Sequence, residues 1–129
     1  MMNEHENILK SMDFVFFASG KHKISAEKLF ESNDKVFLDV RSNEEVQTVT
    51  FPLKFQAEYI HIPTNKIPDK ISDIPKDRTV GIFCSAGIRA AIVYAFLRAN
   101  DFDNVRILVG GYETLLKELK SDKIWKHTQ

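Results

Sequence analysis

A chain of 129 residues with 43% hydrophobic content has room for one globular domain with a buried core, and none for a second. Its 18 basic and 18 acidic side chains cancel, so no overall field draws it to nucleic acid or to an anionic membrane. One cysteine excludes an internal disulfide framework, and His5, His22, His61 and His127 are too scattered for Cys-plus-His zinc spacing, so neither a metal site nor a cofactor is expected.

A lone thiol suits a reducing compartment, and the expected localisation is cytoplasmic. Glu4 and Glu6 stand where a secretory signal would be basic, and the apolar run 14–18 is too short to span a bilayer. Ile8, Leu9, Met12 and Phe16 share one helical face, which predicts an amphipathic helix over 4–18 ended by Gly20. Phe14-Val-Phe-Phe17 fits a short strand equally well. Residues 22–24 form a candidate strand, and Ser25 is placed to cap a helix over 26–32 with Glu27 in its first turn. The apolar run 36–40 predicts a strand, and Ser42-x-x-Glu45 beyond it matches a capping box, so a short helix follows. In extended chain Asp39 and Arg41 project to the same side, at the carboxyl end of the strand where open α/β sheets bind ligands. A local structural ion pair is the alternative reading of the two.

Residues 59–62 read as a strand broken by Pro63, and 66–74 as a short helix interrupted by Pro68. The stretch 80–83 is apolar without polar alternation, the mark of a strand covered on both faces. After it Ile88, Ala91, Ile92, Ala95, Phe96 and Ala99 recur at three- and four-residue spacing, describing the apolar face of a helix that runs to about Asn100. Residues 105–109 form another strand, Gly110-Gly111 permits a sharp turn or a close backbone approach, and 112–119 returns to helix. Residues 120–129 form a polar tail in which Trp125 is expected to anchor against the body. Strands alternating with helices predict an α/β domain with a mainly parallel sheet.

Cys84 lies between the end of the 80–83 strand and the start of the next helix. The first N–H groups of a helix have no partner inside it and the dipole there is positive, so the position favours a thiolate over a thiol. Arg89 is the nearby cation, and Gly87 lets successive amides curl into a concave nest around the sulfur. Each residue has a plainer reading: a free cysteine is often an inert core thiol, an arginine a surface residue, a glycine a turn. The three at this spacing favour chemistry.

Cys84-Ser-Ala-Gly87-Ile-Arg89 resembles the C-x-x-G-x-R active-site loop of the rhodanese-like single-domain sulfurtransferases. Phe37-Leu-Asp39-Val-Arg41 is similar to that family's L-D-V-R strand end, and Asn104-Val105 with Leu108-Val-Gly110-Gly111-Tyr112 to its N-V-x-x-L-x-G-G-Y. The resemblance covers about 24–119, leaving 1–23 as an N-terminal extension and 120–129 as a C-terminal tail of a single domain. It implies a rhodanese-like fold with a five-stranded, mainly parallel central sheet and helices on both faces. It also implies Cys84 as the catalytic residue, carrying sulfur as a persulfide. Ser85, Ala86, Gly87, Ile88 and Arg89 would form the anion-binding loop, with Asp39, Arg41, Gly110 and Gly111 in support. The implied partners are a small-molecule sulfur donor and a thiol or cyanide acceptor, or a persulfide carrier protein. Over 52–58 the sequence departs from the family: Lys54 and Phe55 stand where glycine and histidine are expected, and His61 is therefore not carried over as catalytic.

Two other functions fit a cysteine loop of this kind. Cysteine phosphatases and arsenate enzymes also pair a nucleophilic cysteine with an amide cradle and an arginine, but over C-x5-R, whereas four residues separate Cys84 from Arg89. A non-catalytic binding or regulatory module is the third reading.

Overall fold

The computed structural model describes residues 3–129; Met1 and Met2, which begin the N-terminal extension, lie outside the described residues. In chain order the elements are α1 (Glu4–Ser11), α2 (Phe14–Ala18), β1 (Lys23–Ile24), α3 (Ala26–Glu31), β2 (Lys35–Asp39), α4 (Asn43–Thr48), β3 (Glu58–His61), α5 (Ile67–Lys70), β4 (Thr79–Phe83), α6 (Ile88–Ala99), β5 (Val105–Leu108), α7 (Gly111–Lys117) and α8 (Ser121–His127). The five strands form one sheet in the order β1-β5-β4-β2-β3, and every pairing is parallel. The expected mainly parallel sheet is thus wholly parallel.

β4 lies at the centre, between β2 and β5, with Val80 to Phe83 all buried. Period-two alternation sends its side chains, and those of β2, into two separate cores. Val36, Leu38, Val40, Val80, Ile82 and Cys84 face a core completed by Ile67 of α5 and by Ala90, Val93, Tyr94 and Leu97 of α6. Phe37 and Phe83 face the other, completed by Ala26, Leu29 and Phe30 of α3, Leu115 of α7, and Phe51 and Leu53. Helices therefore cover both faces. Fully burying an apolar side chain of this size contributes about 1.5–3 kcal/mol.

Local signals worked where caps specify an end. The Ser25 hydroxyl accepts the Lys28 N–H, and Ser42 and Glu45 form the reciprocal capping box at the start of α4. Pro68 sits in the first turn of α5, where it costs no helical hydrogen bond, and single 3-10 turns flank the helix.

Three expectations are corrected. The 4–18 helix is two helices, because Asp13 caps the second, accepting the Phe16 N–H at 3.0 Å, and forces an extended backbone between them. The buried face of α6 is Ala90, Val93, Tyr94 and Leu97; Ile88 and Ile92 are exposed, so the apolar periodicity picked the wrong stripe. The tail holds α8, pinned to α3 by the Lys126–Glu31 and Lys123–Glu27 ion pairs, while Trp125 points outward at 67% exposure. No helix among the described residues is long and apolar enough to cross a membrane.

Candidate active site

The loop that follows β4 turns the chain back into α6 through Gly87, whose φ of 88° lies in the left-handed region and leaves it as the N-cap. This turn aims backbone donors at Cys84. The Gly87 N–H donates to Cys84 Sγ at 3.0 Å and the Ala90 N–H at 3.4 Å. Cys84 as a residue is 2% exposed, so the environment of its side chain is set by the loop rather than by water.

Arg89 does not serve as a free cation facing the sulfur. Its two terminal nitrogens donate to Glu45 Oε1 and Oε2 at 2.6 and 2.9 Å, and one also donates to Ser85 Oγ at 3.1 Å. Glu45 accepts in addition from the Ser42 N–H and hydroxyl, so one carboxylate ties the start of α4 to the cysteine loop. The bidentate fork orients both groups. Arg89's guanidinium, then the Ser42 N–H, hold the Glu45 carboxyl well below the usual carboxylate range, and Glu45 in turn raises Arg89. The sequence marked Glu45 only as a helix cap; its second role as the loop's counter-ion depends on a partner 44 residues away.

The linkage has a sign. A carboxyl depressed by folding contributes stability above its unfolded value of about 4.5 and loses it only as the pH falls through the lower folded value. The loop is therefore expected to stay ordered in mildly acid solution. Amide protection factors at Ala90 and Ala91, whose N–H groups bond to Cys84 Sγ and the Gly87 carbonyl, followed from neutral to strongly acid pH, check this. Glu45→Gln should lower this protection at neutral pH about fivefold, or about 1 kcal/mol, and abolish the acid dependence of the protection factor.

Asp39 and Arg41 are both fully buried and form a salt bridge at 2.7 Å, with further bonds from the Arg41 Nε and backbone N–H to Asp39. The Tyr59 hydroxyl donates to Asp39 Oδ2 at 2.6 Å, and burial together with this bond raises the Tyr59 hydroxyl's pKa. Arg41 lies between the rings of Phe51, Phe83 and Tyr112, 5.0 to 5.5 Å from their centroids, and donates to the Tyr112 hydroxyl at 3.0 Å. Burial works against its charge, but the bonds to Asp39 and Tyr112 prevail and raise its pKa. The pair thus stands beneath the site as an internal pillar rather than on its rim. Tyr59 and Phe51 escaped the sequence reading as site residues, and Tyr112 entered it only as the end of the G-G-Y motif, because their partners lie in other elements. His61, at the carboxyl end of the neighbouring β3, donates through Nε2 to the Arg41 carbonyl at 2.7 Å, a structural bond. In the divergent stretch, Leu53 takes a φ of 48° and still buries its side chain.

Gly110 precedes α7 as its N-cap, and Gly111 meets the loop. A Cβ on Gly111 would stand 2.8 Å from the Ser85 carbonyl oxygen, at a φ of 54°. Gly87 faces open space. Either alanine would incur the left-handed cost of about 1–2 kcal/mol, but only Gly111→Ala must also displace the loop backbone. Urea melts should therefore show Gly111→Ala as the less stable variant; equal losses would contradict the close approach.

Residues 24–118 match the rhodanese-like domain family. The chain belongs to this family. A sulfurtransferase from Allochromatium vinosum is 30% identical over 86 residues, 67% of this chain and 76% of that protein. A tRNA sulfurtransferase from Aeromonas salmonicida is 32% identical over 75 residues, 57% of this chain, which there amounts to only 15% of the longer protein. The crystal structure of a rhodanese-like domain protein from Staphylococcus aureus superposes with a TM-score of 0.60 at 30% identity, covering 72% of this chain and 89% of that one. In this rhodanese-like domain the matched region runs from β1 to the end of α7 and includes the whole cysteine loop.

Proposed function

We propose that this rhodanese-like domain is a sulfurtransferase that carries one sulfur atom on Cys84. The thiolate attacks the outer sulfur of a sulfane donor, such as thiosulfate or a persulfide, and the donor's S–S bond breaks as its remainder leaves with the bonding pair. A nucleophilic acceptor, such as a thiol, cyanide or a persulfide carrier protein, then takes the sulfur. The observation that carries the reading is the pair of amides, Gly87 and Ala90, converging on a single sulfur at 3.0 and 3.4 Å. Donors fixed before the reaction stabilise an anion without reorganising. The Ile88 and Arg89 amides, first-turn groups without acceptors inside the helix, remain for the terminal sulfur of the persulfide. Because Cys84 is the only cysteine, no internal disulfide can discharge the intermediate and the acceptor comes from outside.

Incubation with thiosulfate, and separately with a low-molecular-weight persulfide, followed by intact-mass measurement, is expected to show one added sulfur that reductant removes. Cys84 left unmodified by both donors would overturn the reading and favour a non-catalytic module.

A further inference from the structure

A cavity of about 720 Å³ opens beside β1, and no residue of the cysteine loop lines it. Its walls are α3, the turn after α2, and strands β1, β5 and β4, the last joining at Thr79, the end opposite Cys84. Three cations line it, Lys23, Lys28 and Arg106, and no carboxylate does. None of the three forms an ion pair among the described residues. Lys23 and Lys28 are exposed, but Arg106 is half-buried. Paired with Gly81 of β4 and two residues before Leu108, it projects onto the α3 face of the sheet, where the neighbouring buried side chains are apolar. A charge in such a place ordinarily has an acidic partner. The two carboxylates of α3, Glu27 and Glu31, are held instead by Lys123 and Lys126 of α8. The helix thus shows its acids to α8 and Ser25, Lys28 and Ser32 to the cavity.

The neutral side chains of the lining add donors. The Ser25 hydroxyl accepts the Lys28 N–H at 3.2 Å and the Thr79 hydroxyl accepts the Asn104 side-chain N–H at 3.2 Å, so each has its own proton to give to a ligand. Charged and neutral donors without an anion are matched by a group that only accepts, and a guanidinium fork fits two oxygens of one phosphate. No aromatic ring lines the cavity, so it has nothing on which to stack a nucleobase.

We propose that this cavity is a second ligand site, separate from the cysteine loop, and that it binds a small diphosphate or bisphosphate ester without an aromatic ring. Arg106 takes one phosphate in its fork and sets the position of the ligand. Lys23 and Lys28 neutralise the other phosphate, and the two free hydroxyl protons complete the donors. Binding here involves no chemistry at Cys84 and stands independently of sulfur transfer.

Titration of the full chain with pyrophosphate in metal-free buffer, followed by calorimetry and by NMR, tests the site. Binding should be one-to-one, shift the signals of Ser25, Lys28 and Arg106, and weaken as salt is added. Arg106→Gln should weaken it about tenfold, and Arg106→Lys, which keeps the charge but loses the fork, should fall between the two. Lys28→Gln should weaken it about threefold, and serves if the arginine variants do not fold. Lys54→Gln makes the same charge change beside β3, at the other edge of the sheet, and should leave binding unchanged. Pyrophosphate that shifts the Ala86 to Arg89 amides instead would place the anion on the cysteine loop and overturn the site. Equal weakening by Lys54→Gln and Arg106→Gln would do the same, since general charge would then account for the binding. Millimolar pyrophosphate that shifts none of these residues, or a single-stranded oligouridylate that binds where pyrophosphate does not, would also overturn it.

Discussion

Asp39→Ala is expected to remove a large share of the stability of the fold, even though Asp39 makes no hydrogen bond to the cysteine loop. The substitution strands the guanidinium of Arg41 inside the aromatic cage of Phe51, Phe83 and Tyr112 and removes the acceptor of the Tyr59 hydroxyl. Breaking a buried ion pair from one side costs about 3–5 kcal/mol. A domain of this kind has about 5–15 kcal/mol in total. Urea denaturation measures the loss, and a fall of under about 1 kcal/mol would show that the pair is not holding the second core together. A companion variant separates charge from packing. Replacing Asp39 by Leu, Arg41 by Met and Tyr59 by Phe together should recover most of the lost stability, because no buried charge is then left unpaired. Sulfur loading in that triple variant should still be slowed, since Tyr112 and α4 lose the group that spans them.

Cys84→Ser is expected to reduce sulfur transfer to the rate of the uncatalysed exchange while leaving the fold and its melting unchanged. Serine is close to cysteine in size, and its hydroxyl oxygen can accept the same Gly87 and Ala90 amides that now meet the sulfur. It cannot hold a transferred sulfur as a persulfide. Turnover with any donor together with circular dichroism would separate the two effects. Sulfur uptake by the serine variant would move the carrier role to another group and remove the basis of the proposed function.

Much of the fold was legible because its signals are local. Caps at Ser25 and Ser42, the breaks at Pro63 and Gly110, and the unalternated apolar run of β4 each act within a few residues. The alternation of strands and helices gave the α/β class by itself. What could not be read were relations between distant segments. Ile88 and Ile92 look like core residues on a helical wheel, yet α6 turns Ala90, Val93, Tyr94 and Leu97 inward because the sheet and α5 complement that side. The site divides in the same way. The loop from Cys84 to Arg89 is contiguous and was recognisable. The burial of Asp39 and Arg41, the capture of Arg89 by Glu45, and the contact between Gly111 and Ser85 arise only when chain ends far apart in sequence meet.

The strand order carries a consequence for the history of each molecule. Parallel neighbours need crossovers, and here the first strand made is among the last that can be seated. Lys23 and Ile24 pair only with Ile107 and Leu108, so they must wait for β5 while β2 and β3 can already pair through Leu38 and Ile60. On a ribosome the sheet therefore grows from its β2–β3 edge across β4 and β5 and closes backwards onto its own beginning. Gly111, which settles against the Ser85 carbonyl, follows immediately after that last strand. The loop that follows Cys84 is thus braced from outside only after β5 and the Gly110-Gly111 turn have emerged.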